Sequence, residues 1–294
     1  MLNSHRSAVL LFLTAAIWGG TFIIVKESLT VLLPMAVIAY RFTIAFLFLF
    51  LFYRRSVLKN WRAALLPGIG LGLILTLAFT AQTIGLKYTT PAVSALLTGM
   101  NGAFVALIET VFYQKRPTRP ALLGLLAASF GLALITWPTE QFSIDRGILL
   151  TLVCAILYAW HIVVLGRAVA KSDPTTLTVI QFAVVAMVAW VFTPGGIPAA
   201  LQMNAKTWGA ILYLAIPATG IAFCSQSLAQ QRLSAVATAI ILATEPAFAT
   251  LFSLLLGYEA FTIKLVIGGL LLIGGALLST VGESFKPEAG KMIP

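Results

Sequence analysis

The sequence predicts an all-α integral membrane protein in which ten transmembrane helices form two inverted-topology five-helix repeats around a central cavity. Three observations predict this class: the composition, the spacing of the apolar runs and an internal self-similarity. Of the 294 residues, 60% are hydrophobic and only 10% are charged, and the mean hydropathy is +1.00. A soluble domain carries about 25% charged residues. The composition therefore excludes an ordinary soluble enzyme.

Ten apolar runs are long enough to cross a bilayer as helices. A membrane-spanning helix needs about 20 residues, and charged residues, prolines and polar clusters separate the runs. The runs lack the alternation of apolar and polar residues that is typical of barrel strands. Short connections favour a compact bundle. The predicted helices cover residues 8–27, 34–53, 63–86, 91–113, 119–137, 147–168, 174–193, 207–230, 233–257 and 262–282.

Lysine and arginine residues predict the orientation. Of the 19, 13 fall in segments on the side of the N-terminus and 5 on the opposite side, and Arg41 lies within the second predicted helix. Cytoplasmic loops carry such an excess. We therefore expect a multi-pass protein of the inner (plasma) membrane with both termini in the cytoplasm. The net charge of +10 is interpreted in the same way, without a nucleic-acid partner.

The second half of the chain resembles the first. A shift of 144 residues aligns Phe79 with Phe223, Gln82 with Gln226, Gly124 with Gly268 and Gly131 with Gly275, and a shift of 140 aligns Trp18 with Tyr158 and Arg41-Phe42 with Gln181-Phe182. The predicted repeats are residues 1–140 and 141–294. Five helices is an odd number, so the second repeat enters the membrane in the opposite sense. Inverted repeats tend to place a substrate site at their interface, which favours alternating access over a channel or a membrane enzyme.

The paired glycines predict a packing role. Within each pair the two glycines are seven residues apart and lie on one helix face. Small residues let membrane helices approach closely. We expect the fifth and tenth helices to be packing elements, in contact with each other and without a substrate role.

Several short motifs are individually weak but together specific. They are Ile17-Trp18-Gly19-Gly20, Arg41-Phe42, Glu245-Pro246-Ala247-Phe248-Ala249, Gly257-Tyr258-Glu259-Ala260-Phe261-Thr262 and the glycines of the tenth helix. With them the whole chain resembles the drug/metabolite transporter superfamily, of the EamA type. The resemblance implies secondary transport, usually export, of small metabolites, and is greatest to exporters of a broad range of amino acids or of aromatic ones. The first half departs from the pattern, since Asn101-Gly102 stands where the second half has Glu245-Pro246.

Two charged residues inside the membrane are functional candidates. A charge at the bilayer centre costs about 2.5–3.5 kcal/mol on insertion scales, and such groups usually face a cavity or a partner. Glu245 is a candidate site for a proton or a substrate ammonium, or a structural acid paired with Arg41. Arg41 is either an anchoring charge for a substrate carboxylate or a structural charge. The structural role, in which a pair locks the second helix to its neighbours, is favoured.

Aromatic and neutral polar residues complete the predicted site. Trp18 and Tyr158 are repeat-equivalent and, with Phe79, are predicted to form cavity walls that stack an aromatic side chain; lipid-facing or interfacial packing is the alternative. His161 is a candidate proton carrier or an ordinary core histidine. The polar faces of the third and eighth helices indicate a wet path or hydrogen bonds between helices. The predicted substrate-binding residues are Trp18, Phe79, Thr80, Thr83, Asn101, Tyr158, His161, Gln226 and Glu245.

The expected function is export of amino acids, aromatic ones included, by alternating access, with proton coupling left open. A proton-coupled extruder of lipophilic cations or drugs is the alternative, and a membrane enzyme or sensor is a remote one. The sequence has no phosphate-binding loop, no zinc-ligand spacing and no nucleophile–base arrangement. We therefore expect no enzyme, no cofactor and no metal. The expected partners are the lipid bilayer, a small-molecule substrate and protons if they are coupled, and the expected state is a monomer.

Overall fold

The computed structural model describes residues 4–136, 146–193, 203–255 and 263–280. All regular structure in this part of the chain is helical, as predicted. The helices are α1 (Ser4–Gly19), α2 (Thr21–Ser28), α3 (Pro34–Tyr88), α4 (Pro91–Gly99), α5 (Asn101–Tyr113), α6 (Arg119–Thr136), α7 (Arg146–Ala168), α8 (Pro174–Val191), α9 (Ala205–Ala215), a π-helical turn (Ile216–Ile221), α10 (Ala222–Ala229), α11 (Ala235–Leu242), α12 (Glu245–Leu255) and α13 (Ile263–Thr280). The motif at 257–262 and the outer ends of three predicted helices, at 137, 256–257 and 281–282, lie outside the described residues.

Within the described residues, six helical stretches are long and apolar enough to cross a membrane. They are Ser4–Ser28, Pro34–Tyr88, Val93–Tyr113, Arg146–Ala168, Pro174–Val191 and Ala205–Ala229. Three shorter apolar helices, Arg119–Leu134, Ala235–Ala249 and Val266–Leu278, accompany them. The structure agrees with the predicted helical membrane class.

The second and third predicted helices are joined in α3, which has helical hydrogen bonding over 55 residues. A straight helix of this length would measure about 80 Å, yet the ring centroids of Phe42 and Phe79 lie 4.8 Å apart. The segment therefore folds back on itself. Ser56 Oγ donates to Asp173 Oδ1 at 3.0 Å, and Ser172 Oγ donates to the carbonyl oxygen of Ala63 at 3.1 Å. The turn thus packs on the α7–α8 connection, and it stays helical because residues 53–63 contain neither Gly nor Pro.

Two helix breaks have the same hydrogen-bond pattern. At Met100 the carbonyl accepts from Ala103 N at 3.0 Å and from Phe104 N at 3.3 Å. At Thr244, 144 residues later, the carbonyl accepts from Ala247 N and Phe248 N at the same two distances. Consequently α5 begins at Asn101 and α12 begins at the aligned residue Glu245.

Helices α6 and α13 pack against each other through glycines, which confirms the predicted packing role. A Cβ atom on Gly131 would lie 2.6 Å from the carbonyl oxygen of Gly268, and one on Gly275 would lie 2.5 Å from that of Gly124. Gly131 aligns with Gly275 and Gly268 aligns with Gly124, so each contact is the repeat-equivalent of the other. The backbones are so close that no side chain fits between them.

Asp173 stabilises the connection between α7 and α8, which is predicted to lie on the cytoplasmic side. Its Oδ1 accepts from Thr176 N at 2.8 Å, Thr176 Oγ1 at 2.6 Å and Thr175 Oγ1 at 2.7 Å, in addition to Ser56. Burial alone would raise the pKa of Asp173, but these hydrogen bonds outweigh burial and hold the pKa below its ordinary value. The ionised carboxylate therefore stabilises both the start of α8 and the turn of α3.

Replacing Gly275 by Ala should lower the melting temperature of the purified protein in detergent, because the new methyl group forces α6 and α13 apart. Overpacking of this kind costs about 1–3 kcal/mol. Gly274→Ala is the matched control, since nothing lies within 4 Å of a Cβ atom at that position. Equal melting temperatures for the two variants would contradict the close contact.

Asp173→Asn should destabilise the protein at pH 7 and have progressively less effect in acid. A carboxyl with a lowered folded pKa contributes stability above its unfolded pKa, about 3.9, and loses it as the pH falls through the folded value. Thermal unfolding of both proteins between pH 7 and pH 3 measures this. A difference in melting temperature that stays constant with pH would show that the charge of Asp173 is not the cause.

Candidate functional site

A cavity with a free volume of about 50 Å³ lies in the middle of the bundle. A water molecule needs about 10–15 Å³ of such space, so the cavity holds several waters or a few non-hydrogen atoms of a ligand. It lies where the breaks at Met100 and Thr244 meet, since both Asn101 and Glu245 line it. The sequence-predicted residues on its wall are Trp18, Arg41, Phe79, Asn101, Tyr158, His161, Gln226 and Glu245.

Four aromatic rings form one side of the cavity. The ring centroids of Phe79 and Phe223 lie 6.0 Å apart. Trp18 packs on Phe223 at 5.1 Å, and Tyr158 packs on Phe79 at 5.6 Å. Trp18 aligns with Tyr158, and Phe79 aligns with Phe223. The ring on α1 therefore packs on the phenylalanine of the second half, and the ring on α7 packs on the phenylalanine of the first half.

A second aromatic layer continues the pattern behind the wall. Phe42 contacts Phe79 at 4.8 Å, and the aligned Phe182 contacts Phe223 at 5.9 Å. Phe42 and Phe182 contact each other at 5.3 Å, and both are fully buried. The rigid layer holds the cavity wall in place.

Arg41 is buried, at 5% exposure, and is held by neutral groups. Its Nε donates to Thr219 Oγ1 and its Nη2 donates to the carbonyl oxygen of Ala218 at 3.4 Å. Its Cζ lies 4.7 Å from the ring centroid of Phe79, close enough for a cation–π interaction. The ion pair with Glu245 that the sequence left open is not formed directly: within the described ranges, no carboxylate lies within 4.0 Å of this guanidinium. The π-helical turn supplies its partners instead.

Glu245 is the first residue of α12 and is 9% exposed. Gly19 positions it: a Cβ atom there would lie 2.8 Å from Ala249 N and 3.1 Å from the carbonyl oxygen of Glu245. The missing side chain lets α1 approach the first turn of α12, which puts Trp18 and Glu245 on the same cavity. In the part of the chain that the structure describes, the carboxylate of Glu245 makes no hydrogen bond.

Neutral polar groups line the rest of the cavity. Tyr158 Oη donates to Gln82 Oε1 at 3.1 Å, and Gln82 Nε2 donates to Thr98 Oγ1 at 3.4 Å. His161 Nε2 donates to Gln181 Oε1 at 2.8 Å. This last bond fixes the proton of a neutral His161 on Nε2.

Two amides on the cavity wall each contain an oxygen without a partner. They are Asn101 Oδ1 and Gln226 Oε1, both buried and unbonded within the described residues. A buried acceptor left unpaired costs about 1–3 kcal/mol. The site is thus short of hydrogen-bond donors, and a ligand with N–H groups would relieve the cost.

Thr80 and Thr83 do not reach the cavity. Thr80 Oγ1 donates to Met35 Sδ at 3.7 Å. Thr83 is buried, at 3% exposure, and is not among the lining residues. The lining residues outside the predicted set include Gln82, Thr98 and Phe223. The alignment of the two halves would have found Gln82 and Phe223, because their equivalents Gln226 and Phe79 were predicted.

The cavity reaches Val25 and Leu86, at the end of the bundle opposite the N-terminus. Towards the N-terminal end, the apolar core packs beneath it, with Leu11, Val105 and Ala159 fully buried. Beyond that core, α5 and α7 are joined by charge: Arg167 Nη1 donates to Glu109 Oε1 at 2.7 Å, and Arg167 Cζ lies 3.3 Å from the ring centroid of Tyr113. The N-terminal side of the cavity is therefore held together by apolar packing and by this ion pair.

A bundle of apolar helices with broken segments around a polar and aromatic cavity has the architecture of a membrane transporter. The model of the EamA-like transporter family matches residues 5–137 and again residues 145–281. The chain belongs to this family, and the resemblance seen in the sequence is confirmed.

Named relatives agree with the assignment to a transporter family. The chain is 29% identical over 288 residues to an uncharacterized transporter of Archaeoglobus fulgidus, covering 96% of this chain and 99% of the relative. It is 26% identical over 294 residues to the uncharacterized transporter YyaM of Bacillus subtilis, covering 94% of each. A solved crystal structure with 20% identity matches at a TM-score of 0.75 over 95% of this chain and 98% of that one, which shows the same fold. The chain is thus a multi-pass membrane transporter and not an enzyme.

Proposed function

We propose that this transporter exports amino acids, aromatic ones included, across the plasma membrane by alternating access. In this proposal it crosses the membrane ten times as two inverted repeats, residues 1–140 and 141–294. Both termini lie in the cytoplasm, and a monomer in the bilayer is the working unit.

Four observations support the repeats. The family model matches twice, the helix breaks at Met100 and Thr244 have the same hydrogen bonds, the glycines of α6 and α13 exchange contacts, and the aromatic rings pack reciprocally. The fold of α3 back on itself supplies two passages from one helical segment.

The substrate proposal rests on the presence of both Arg41 and Glu245 on the wall of one cavity. They are the charged residues in the described lining, with opposite signs. A guanidinium binds a carboxylate through two parallel hydrogen bonds, while Glu245 and the unpaired amide oxygens accept N–H donors. An amino-acid zwitterion offers both groups, and the four aromatic rings accommodate its side chain. An ion of a single charge would leave one buried charge uncompensated.

A lipophilic cation is the second candidate. Glu245 and the aromatic faces favour it, since rings attract cations. Arg41 disfavours it because the positive guanidinium faces the same space. In this candidate Glu245 would bind cation and proton in turn.

Uptake into proteoliposomes tests the proposal. Labelled phenylalanine, threonine, glutamate and a lipophilic cation are each offered with and without an imposed pH gradient. Phenylalanine uptake above that of empty liposomes supports amino-acid transport, and its response to the gradient separates proton antiport from facilitated diffusion. Cation uptake without amino-acid uptake overturns the proposal in favour of the second candidate.

Neutralising either cavity charge should abolish most phenylalanine uptake. Arg41→Gln and Glu245→Gln are each expected to reduce uptake at least tenfold, because losing a hydrogen bond to a charged group costs about 1.5–3 kcal/mol. The matched controls are Arg62→Gln and Glu27→Gln, whose side chains are exposed. If only Glu245→Gln affects transport and the substrate is a cation, the zwitterion site is wrong.

Breaking the ion pair of Glu109 with Arg167 should loosen the contact between α5 and α7 on the N-terminal side of the cavity. Glu109→Gln is expected to speed labelling of a cysteine introduced at Ile162, on the cavity floor, several-fold from the cytoplasmic side in inverted vesicles. Both native cysteines are replaced by alanine. Glu27→Gln, which removes the exposed pair with Lys206 at the other end, is the control. Unchanged labelling in Glu109→Gln would rule out a gating role for the pair.

A further inference from the structure

A π-helical turn interrupts the membrane helix opposite Arg41. It spans Ile216–Ile221 and includes Pro217, which has no N–H group. The aligned segment of the first half, residues 72–77, is regular α-helix within α3. The turn is therefore specific to the second half, and π-helical turns within α-helices are frequently found at functional sites.

The turn presents two oxygen acceptors to cavity residues. The carbonyl oxygen of Ala218 accepts from Trp18 Nε1 at 2.7 Å and from Arg41 Nη2 at 3.4 Å. The hydroxyl of Thr219 accepts from Arg41 Nε and donates to the carbonyl oxygen of Leu214 at 2.7 Å. Thr219 is fully buried. Because its proton is committed to Leu214, the lone pairs of Thr219 are turned towards the guanidinium.

Arg41 is thus held on two sides. Thr219 fixes the inner nitrogen Nε, and the face of Phe79 lies against the guanidinium plane at 4.7 Å. Since Arg41 lines the cavity, the remaining donors of its fork are available there. A guanidinium fixed in this way does not have to be ordered when an anion binds, which favours affinity.

We infer that Thr219 is a positioning residue, and that the π-helical turn aims the fork of Arg41 at the carboxylate of the substrate. The inference rests on the proposed amino-acid function. It makes recognition of the carboxylate depend on a residue that does not line the cavity. A purely structural role for Thr219 would affect all substrates alike.

Uptake kinetics provide the first test. Thr219→Val should raise the KM for phenylalanine about tenfold, as expected for a lost hydrogen bond to a charged group, with little change in kcat. Phenethylamine, which lacks the carboxylate, is offered as a weak competitor, and its inhibition constant should stay the same. Thr219→Ser retains the hydroxyl and should behave like the wild type, and Thr219→Ala serves if the valine variant does not fold.

The matched control is Thr14→Val. Thr14 is also buried and its Oγ1 donates to a carbonyl of its own helix, that of Leu10, at 2.9 Å, but it does not contact Arg41. The control should leave the KM for phenylalanine and the inhibition constant of phenethylamine unchanged. Equal rises for phenylalanine and phenethylamine in Thr219→Val, or no rise at all, would overturn the positioning role.

A second readout needs no substrate. In ¹⁵N–¹H spectra, the Nε–H signal of Arg41, assigned with Arg41→Lys, should exchange slowly in the wild type and in Thr219→Ser, and should be lost or shifted in Thr219→Val. An unchanged signal in Thr219→Val overturns the inference even if amino acids are transported. If the wild type transports no amino acid, the proposed function fails, and the signal still decides whether Thr219 positions Arg41.

Discussion

The structure depends on one constraint: lipid offers no hydrogen bonds, so every interruption of a membrane helix must be satisfied inside the bundle. Thr244, and Ala218 and Thr219 of the π-helical turn at Ile216–Ile221, are fully buried. Asn101 and Glu245, which follow the breaks at Met100 and Thr244, line the cavity and contribute to its polar part. The turn shows the compensation most directly, since the carbonyl of Ala218 accepts from Trp18 and Arg41. Polar groups that would be costly in lipid thereby become the walls of a binding site.

Close backbone contacts let these breaks meet. Gly19 brings α1 onto α12, and the glycines of α6 and α13 bring two helices into backbone contact at the periphery. Between them, the aromatic layers fill the interior with rings that have few rotamers. The cavity is therefore surrounded by rigid packing, while the pair of Glu109 and Arg167 joins α5 to α7 at one end. A bundle of this kind has a densely packed centre, with an ion pair that joins two of its helices near one end.

The sequence predicted the helical membrane class and eight cavity residues, because a polar or aromatic group in an apolar run is costly unless it faces a cavity. Trp18, Tyr158 and Glu245 were found in this way. Thr80 lies off the cavity wall because a three- and four-residue spacing defines a helix face but not the neighbour of that face, and here the neighbour is Met35. Thr219 carried no signal, since its contact with Arg41 depends on a π-helical turn and joins residues 178 positions apart in sequence. Glu245 was offered as the partner of Arg41 because the two are opposite charges inside the membrane, which does not reveal the contact with Thr219.

The two halves form a cavity whose aromatic wall is nearly symmetric, but they contribute different charges to it. Phe79 with Phe223, and Trp18 with Tyr158, are aligned pairs that build the same wall twice. The charges are not duplicated: Arg41 aligns with the neutral Gln181, and Glu245 aligns with the neutral Asn101. Each half thus contributes one charge, of opposite sign. Two identical copies of a single half would have to present two arginines or two glutamates, which repel one another. A fused chain whose halves have diverged can hold one of each, and such a site is complementary to a substrate with a positive and a negative end.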